Sequence, residues 1–267
     1  MRARSLLLIV LLLAVGAAAV ALASGPDRRG ARVIAFAIDS RAVHRREPQR
    51  VVVPAGAAAN PPLLIFLHGR GGNERSELSS QFFAALAKLG PRAPVVAFPD
   101  GGFGSYWHDR RGGRWARYVM GEVIPQVQRR FHTDPRRIAI GGISMGGFGA
   151  YDLARTHPGR FCAAGGHSPA LWRTSGQTAP GAFDDGTDFA RHDVIAVARR
   201  NPAALTRSKL WLDAGTADPF LPGDGAFTRA LRGHITVRHW PGGHDGAYWN
   251  AHWGDYLGFY ARALAAC

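Results

Sequence analysis

The residues best suited to chemistry lie in one glycine-rich run, residues 141–147 with the sequence Gly-Gly-Ile-Ser-Met-Gly-Gly. A short apolar stretch precedes this run, and residues 148–157 behind it have the pattern of a helix. A serine with glycine two residues away on each side, between a strand and a helix, is the nucleophile-elbow pattern. Gly142 and Gly146 would let the two backbones approach where a Cβ would collide. The pattern predicts Ser144 as a nucleophile at the start of a helix, whose dipole favours developing negative charge.

A serine hydroxyl becomes a nucleophile when a base removes its proton, and that base needs an acid to orient it. With a nucleophile elbow, the order along the chain is serine, acid, histidine. Asp218 lies just beyond the strand predicted at residues 209–213, so it is the predicted acid. Two other aspartates are alternatives: Asp213 within that strand, and Asp224, which we interpret as a helix cap.

The predicted base is His244, which lies in a glycine-containing loop between the last predicted strand and the final helix. His239 falls within the strand and His252 on the helix, so they are the weaker candidates. The spacing of these three histidines matches no standard zinc motif, and no cysteine cluster accompanies them. The sequence therefore predicts no metal and no cofactor.

An acyl-transfer site must also stabilise an oxyanion. The first donor should be the backbone N–H of Met145, and the second should come from a loop after an earlier strand. Residues 68–72, His-Gly-Arg-Gly-Gly, follow the apolar run 63–67, so we predict the N–H of Arg70, with Gly71 as the alternative. Trp107 lies in an aromatic loop and is predicted to line the substrate pocket; its alternative role is to hold that loop in place.

Loops that meet at one site need a scaffold that brings strand ends to one edge. Six apolar runs have the length of buried strands: residues 63–67, 95–98, 137–140, 161–167, 209–213 and 235–239. Helical patterns accompany them at residues 79–89, 115–131, 148–157, 226–231 and 246–265. Residues 33–38 and 50–54 are predicted to form an antiparallel hairpin joined by the charged stretch around Arg45. This alternation predicts an α/β fold with a mostly parallel central sheet and helices on both faces.

The length of 267 residues fits one large domain, predicted over residues 24–267. Within it, residues 168–204 show no clear strand and are too long for a simple connection, so we predict a lid or pocket wall. Residues 1–23 have two arginines, a long apolar run and an Ala-Leu-Ala cleavage signal. They are predicted to be a secretory signal peptide, with an uncleaved membrane anchor as the alternative. We expect a secreted or cell-envelope protein.

The formal net charge is +14, and it falls to +12 without the predicted leader. The arginines are scattered and no nucleic-acid motif is present, so we expect no nucleic-acid partner, only weak association with an anionic cell envelope. No pattern indicates an oligomeric state. Cys162 and Cys267 are the two cysteines. In an oxidising compartment they can form a disulfide, and a free, buried Cys162 is the alternative.

Several segments together resemble the esterase D-type branch of the α/β-hydrolases, which includes S-formylglutathione hydrolases, feruloyl, acetylxylan and enterobactin esterases, and mycolyltransferases. The resemblance spans residues 50–265 and is carried by residues 66–69, 105–107, 138–149, 157–158, 215–221, 243–245 and 248–249. It implies Ser144, Asp218 and His244 as a catalytic triad, with the N–H groups of Met145 and Arg70 as the oxyanion hole. The implied function is a serine carboxylic-ester hydrolase acting on a small-molecule or glycan ester.

Two features depart from members of that branch. The predicted leader is at odds with cytosolic formaldehyde detoxification, and Gly147 replaces the small non-glycine residue usual in mycolyltransferases. Two other functions stay open. One is an acyltransferase that moves an acyl group to a sugar hydroxyl, and the other is an inactive cell-wall-binding protein on a hydrolase scaffold.

Overall fold

The computed structural model describes residues 25–267; the predicted signal peptide lies outside them. Eight strands form one sheet in the order β1-β2-β4-β3-β7-β8-β9-β10. Their bounds are β1 (Arg32–Ser40), β2 (Arg45–Val53), β3 (Leu63–Leu67), β4 (Val95–Pro99), β7 (Ile138–Ile143), β8 (Ala163–His167), β9 (Lys209–Gly215) and β10 (Thr236–Trp240). A separate two-stranded ribbon joins β5 (Asp109–Arg110) to β6 (Gly113–Arg114).

The sheet is mostly parallel, as predicted. Strands β4, β3, β7, β8, β9 and β10 pair in parallel, and β2 alone pairs antiparallel with both its neighbours. All five residues of β3 are buried, since helices cover both faces of a parallel sheet. Leu63 and Ile65 join the core on one face, and Leu64 and Phe66 join the core on the other.

Ten helices accompany the strands in residues 25–267: α1 (Ser80–Lys88), α2 (Trp115–Arg117), α3 (Ile124–Phe131), α4 (Met145–Thr156), α5 (Gly186–His192), α6 (Val194–Arg200), α7 (Ala203–Thr206), α8 (Leu221–Ala230), α9 (Gly246–Ala251) and α10 (Trp253–Ala265). Helices α1 and α10 cover one face of the sheet, and α3, α4, α6 and α8 cover the other. The predicted α/β class is confirmed. None of the helices within the described residues is both long and apolar enough to cross a bilayer.

The ends of several elements differ from the sequence prediction. Arg45 lies inside β2, paired with Ser40, so residues 41–44 form the hairpin connection rather than the charged stretch. A π-helical turn over Tyr118–Val123 joins α2 to α3, and Pro125 follows at the second position of α3. The wider π-helical turn in front of Pro125 accommodates a residue that lacks an N–H and would clash within a regular α-helical ladder.

A disulfide joins Cys162 to Cys267, with their Cα atoms 5.8 Å apart. Cys162 directly precedes β8, and its N–H donates a hydrogen bond to the carbonyl of Ile138 at 2.7 Å. The bridge therefore ties the end of the chain after α10 to the amino edge of the sheet. The alternative of a free Cys162 does not hold.

Candidate active site

Ser144 occupies the turn between β7 and α4 with φ 53° and ψ −113°, a conformation that non-glycine residues rarely adopt. Its N–H donates to the carbonyl of His167 at 3.0 Å, which holds the turn to the end of β8. A Cβ on Gly142 or Gly146 would overlap the carbonyl oxygen of Leu67. The steric reason predicted for these two glycines is confirmed.

Three side chains form a continuous chain of hydrogen bonds at the carboxyl edge of the sheet. The hydroxyl of Ser144 lies 2.9 Å from Nε2 of His244, and Nδ1 of His244 lies 2.9 Å from Oδ2 of Asp218. The other carboxylate oxygen of Asp218 accepts the N–H of Phe220 at 2.8 Å. An ionised carboxylate only accepts, so Nδ1 carries the imidazole proton and Nε2 is free to accept the serine proton.

The Asp218 side chain has no solvent exposure, whereas that of His244 is 22% exposed. Burial by itself raises the pKa of Asp218, but hydrogen bonds from His244 and from the Phe220 N–H outweigh it and hold the pKa below the ordinary value. Asp218 is therefore ionised at neutral pH. This fixed negative charge beside Nδ1 orients the imidazole and sets its tautomer.

The loops that carry Asp218 and His244 bond directly to each other. The Ala217 N–H donates to the carbonyl of Gly242 at 2.9 Å, and the Thr216 N–H donates to the backbone carbonyl of Trp240 at the same distance. Asp245, directly after His244, caps α9 by accepting the N–H of Tyr248 at 3.0 Å. These backbone contacts fix the distance between the acid and the base.

Asp213 has a different environment from Asp218. It is fully buried, and none of its hydrogen bonds within residues 25–267 goes to His244. Its carboxylate accepts four hydrogen bonds of 2.6–3.0 Å, from His167 Nδ1, Trp211 Nε1 and the hydroxyls of Tyr248 and Tyr256. These contacts cross-link β8, β9, α9 and α10 beneath the site.

The remaining alternatives lie away from Ser144. The interpretation of Asp224 as a helix cap is wrong: it is the fourth residue of α8 and buried, and neither carboxyl oxygen has a hydrogen-bond partner among the described residues. Burial, with the neighbouring aspartates, raises its pKa well above the ordinary value. His239 is exposed on β10, and His252 stacks on Trp240 with ring centroids 4.0 Å apart.

The candidate oxyanion donors come from two loops beside Ser144. Met145 opens α4, so its N–H is one of the first-turn donors that lack an intrahelical acceptor. Gly69 lies against the nucleophile, since a Cβ built on it would stand 3.5 Å from the Cβ of Ser144. The Gly71 N–H already donates to the carbonyl of Phe103 at 2.8 Å. The neighbouring N–H of Arg70 has no such partner in residues 25–267, which favours Arg70 over Gly71.

The prediction that Trp107 lines the pocket is wrong, because its side chain is fully buried beneath the loop of residues 68–72. Its indole N–H donates to the carbonyl of His68 at 3.2 Å. His68 accepts the Gly101 N–H on Nε2 at 2.9 Å, so its Nδ1 carries the proton and donates to the carbonyl of Gly69 at 2.8 Å. Trp107 and His68 therefore position this loop from below.

A cavity of about 350 Å³ opens above Ser144 and His244. Its other lining residues are Gly69, Arg70, Gly71, Gly72, Ser76, Glu77, Ile143, Gly246, Trp249 and Asn250. Sequence reasoning missed Glu77 and Asn250, which belong to no motif. Burial raises the pKa of Glu77 to about 7.

Residues 168–204 do not line this cavity. Four of them, residues 171–173 and 177, line an adjoining depression of about 310 Å³, together with residues 219, 220, 222 and 223. Phe220 belongs to that depression, and its ring centroid lies 5.1 Å from that of His244. The Arg70 guanidinium lies over the ring of Phe103 at 5.0 Å and donates to the carbonyl of Pro180 at 3.4 Å. The segment thus contacts the rim of the site.

A second cluster of titratable side chains lies outside the cavity. His108, Asp188 and His192 bring three possible metal-ligand atoms within 4.8 Å of one another. Sequence reasoning weighed only the histidines near the C-terminus. The 80 residues between His108 and Asp188 concealed this cluster.

The model of the Esterase family matches residues 40–258. The chain belongs to the Esterase family. It is 32% identical over 101 residues to a bifunctional acetylxylan esterase/xylanase of Neocallimastix patriciarum, covering 38% of this chain and 15% of that protein. It is 29% identical over 122 residues to an esterase of Mycobacterium tuberculosis, covering 42% of this chain and 26% of that protein. The chain therefore matches well under a third of the length of either relative.

Two solved structures have a fold similar to that of this chain. A ferulic acid esterase superposes with a TM-score of 0.76 at 20% identity, covering 87% of this chain and 99% of that one. An S-formylglutathione hydrolase from Agrobacterium tumefaciens gives a TM-score of 0.74 at 21% identity, covering 91% and 99%. At this identity the likeness demonstrates the α/β-hydrolase fold, which confirms the fold that the resemblance implied.

Proposed function

We propose that this member of the Esterase family is a secreted serine esterase that hydrolyses carboxylic esters through an acyl-enzyme. The observation that carries the proposal is the hydrogen-bonded chain from Ser144 through His244 to Asp218, with 2.9 Å at each step. A serine, a base and an orienting acid in this order, placed on a nucleophile elbow, suit acyl transfer.

In the proposed reaction, the Ser144 hydroxyl attacks the ester carbonyl while Nε2 of His244 takes its proton. The tetrahedral intermediate then collapses, His244 returns the proton to the leaving alkoxide, and the alcohol departs. A water molecule repeats the sequence on the acyl-enzyme, with His244 as base again, and releases the carboxylic acid. Asp218 keeps the proton on Nδ1 and stabilises the imidazolium at each stage.

Two backbone donors are assigned to the developing oxyanion. The Met145 N–H lies at the amino end of α4, where the helix dipole adds to its effect. The Arg70 N–H is the second donor, and the contacts of His68 and Trp107 hold its loop in place before substrate binds. Donors fixed in advance stabilise the transition state without a cost of reorganisation.

We propose that the chain is exported from the cell. The leader-like residues 1–23 support it, and so does the Cys162–Cys267 disulfide, because structural disulfides persist mainly in oxidising compartments. Scattered arginines would favour weak contact with an anionic envelope.

The proposed substrate is a small-molecule or glycan ester. A cavity of about 350 Å³ is at the small end of ligand pockets. Relatives named for acetylxylan and ferulic acid esters support this class. We infer that residues 168–204 shape the second, adjoining depression as a pocket wall.

A fluorophosphonate probe and short-chain p-nitrophenyl esters test the proposal directly. The wild type should be labelled and active, and Ser144→Ala should lose labelling and about 10⁶-fold in kcat. Ser175→Ala, at an exposed serine, is the matched control and should behave as wild type. Unlabelled wild type would favour an inactive wall-binding scaffold. Acyl transfer to a glycan acceptor faster than to water would favour an acyltransferase.

A further inference from the structure

The cluster of His108, Asp188 and His192 joins two separate parts of the chain. His108 follows Trp107 in the loop before β5, whereas Asp188 and His192 lie one turn apart on α5 and face the same side of that helix. Nε2 of His108 is 3.1 Å from Oδ2 of Asp188, and Nε2 of His192 is 3.7 Å from Oδ1. The three groups share no residue with the cavity above Ser144.

The proton on His192 is placed by a buried carboxylate. Nδ1 of His192 lies 2.8 Å from Oδ2 of Asp152 on α4. Oδ1 of the same carboxylate accepts a hydrogen bond from Nε of Arg155 at 2.8 Å. Asp152 is thus an ionised acceptor, and Nδ1 is the protonated nitrogen. In the neutral ring, Nε2 then directs a lone pair towards Asp188.

His108 has an acceptor on each side of its ring. Nδ1 faces the carbonyl of Tyr106 at 3.4 Å, and Nε2 faces Asp188 at 3.1 Å. A neutral imidazole has one N–H, so one lone pair must face an oxygen in either tautomer. With the proton on Nδ1, the lone pair of Nε2 and the Asp188 carboxylate face each other, and a cation between them would satisfy both.

We propose that His108, Asp188 and His192 form a binding site for a divalent metal ion of the zinc type. Two imidazole nitrogens and one carboxylate are a donor set that Zn²⁺ prefers. Tetrahedral bonds of about 2.0 Å place donor atoms about 3.3 Å apart. Nε2 of His108 is 3.1 Å from one oxygen of Asp188, Nε2 of His192 is 3.7 Å from the other, and one ligand atom from each of the three residues lies within 4.8 Å of the others. A water molecule can fill the fourth position.

The outer contacts of the cluster also fit a metal site. Ligating histidines almost always donate their second N–H to a carboxylate or a backbone carbonyl. Asp152 takes that place for His192, and the Tyr106 carbonyl takes it for His108. Such contacts orient the ring and raise the basicity of the ligating nitrogen.

Asp188 has two other donors. The Asp184 N–H lies 2.8 Å from Oδ2, and the Arg191 guanidinium lies 3.1 Å from Oδ1. A carboxylate accepts at about four lone-pair sites, so the backbone contact leaves room for an ion. The Arg191 side chain is 62% exposed and can turn into solvent, and His192, 15% exposed, provides the route from the surface.

The bound ion would cross-link the predicted pocket wall to the scaffold. It would join α5, within residues 168–204, to the loop that carries Trp107, and through Asp152 it would reach α4 behind Ser144. The site is separate from the proposed ester chemistry, so its role is to fix the position of this segment.

The test is Zn²⁺ binding by the full chain after treatment with a chelator, measured in competition with a chromophoric chelator. We expect one Zn²⁺ per chain, a higher Tm that EDTA reverses, and a visible Co²⁺ absorption band typical of a tetrahedral site. His192→Gln should weaken Zn²⁺ binding by at least about 100-fold, and Asp152→Asn by about 10–100-fold. His239→Ala, at an exposed histidine on β10, is the matched control and should bind as wild type.

Fluorophosphonate labelling of the His192, Asp152 and His239 variants reports that their fold is intact. Ser144→Ala, which cannot be labelled, should still bind one Zn²⁺, which separates this site from the esterase proposal. His192 is near the surface, so its variant carries the test if a buried substitution prevents folding. The proposal is overturned if the stripped wild type takes up no stoichiometric Zn²⁺. It is equally overturned if His192→Gln binds Zn²⁺ as tightly as His239→Ala.

Discussion

Asp213→Asn should lower the free energy of unfolding far more than Asp218→Asn does. The carboxylate of Asp213 accepts four hydrogen bonds, two on each oxygen. The indole N–H of Trp211 can only donate, so the amide oxygen must face it and the amide NH₂ must face the hydroxyls of Tyr248 and Tyr256. Each bond then loses its charged acceptor, at about 1 kcal/mol each. Relief of a buried charge offsets part of this loss, and about 2–4 kcal/mol remains.

Asp218→Asn should have a small effect on stability and a large effect on kcat. The amide can keep the Phe220 N–H bond, and the main bond at risk within residues 25–267 is the one to His244, so the stability loss should be about 1 kcal/mol. Without the carboxylate, His244 loses the partner that sets its tautomer and stabilises its charged form. In a serine triad this costs about 10⁴-fold in kcat.

Urea unfolding followed by tryptophan fluorescence, with the disulfide intact, and kcat on p-nitrophenyl acetate measure the two effects. Equal m-values for both variants would show that the midpoints report stability. If Asp213→Asn lost about 10⁴-fold in kcat while its urea midpoint stayed at the wild-type value, Asp213 would be the orienting acid. The assignment of Asp218 would then be refuted.

Three further predictions follow from single contacts. Cys267→Ser opens a covalent loop of 105 residues and should lower the free energy of unfolding by about 2–4 kcal/mol; an unchanged urea midpoint would contradict it. Glu77 has its pKa raised to about 7 by burial, so the folded state binds this proton more tightly and stability falls as pH rises from about 4.5 to 7. Glu77→Gln removes that fall, so the free energy of unfolding of the variant relative to the wild type should rise by about 1–2 kcal/mol between pH 5 and 8, a figure already lowered for the partial exposure of the side chain. Parallel pH profiles of the two proteins would exclude this. Gly149→Ala places a Cβ 2.5 Å from the Cβ of Trp107 and should cost about 1–3 kcal/mol, whereas Gly254→Ala, in open space on α10, should gain about 0.5–1 kcal/mol; equal melting temperatures would count against the packing argument.

Local sequence patterns were sufficient for the strands and for the loops at the site. Strand β3 covers the predicted residues 63–67, because a continuous apolar run is what a doubly covered parallel strand requires. The positions of Asp218 and His244 follow from the same rule, since parallel strands end at one edge and their loops must meet there. The structure brings both side chains to Ser144, although their catalytic roles stay predictions.

Those local patterns do not show which residues far apart in the sequence pack against each other. The aromatic loop predicts Trp107 at the pocket, yet its ring fills space that Gly101 leaves empty in the same loop and that Gly149 leaves empty on α4. No local pattern shows that Gly149, 42 positions along the chain, faces this ring. His108 and Asp188 were missed for the same reason, because they meet only after α5 folds back onto the scaffold.

The Cys162–Cys267 bridge also determines how the molecule would carry mechanical load. Ser144 stands at the carboxyl end of β7, and Cys162 lies at the amino end of the neighbouring β8, about 20 Å away along the strands. A bead or surface linked at residue 267 would hold the molecule by the edge opposite the nucleophile and leave the site facing outward. Force applied there would pass through the bridge directly into the centre of the sheet. Under a reductant the same pull would first peel α10 from its face.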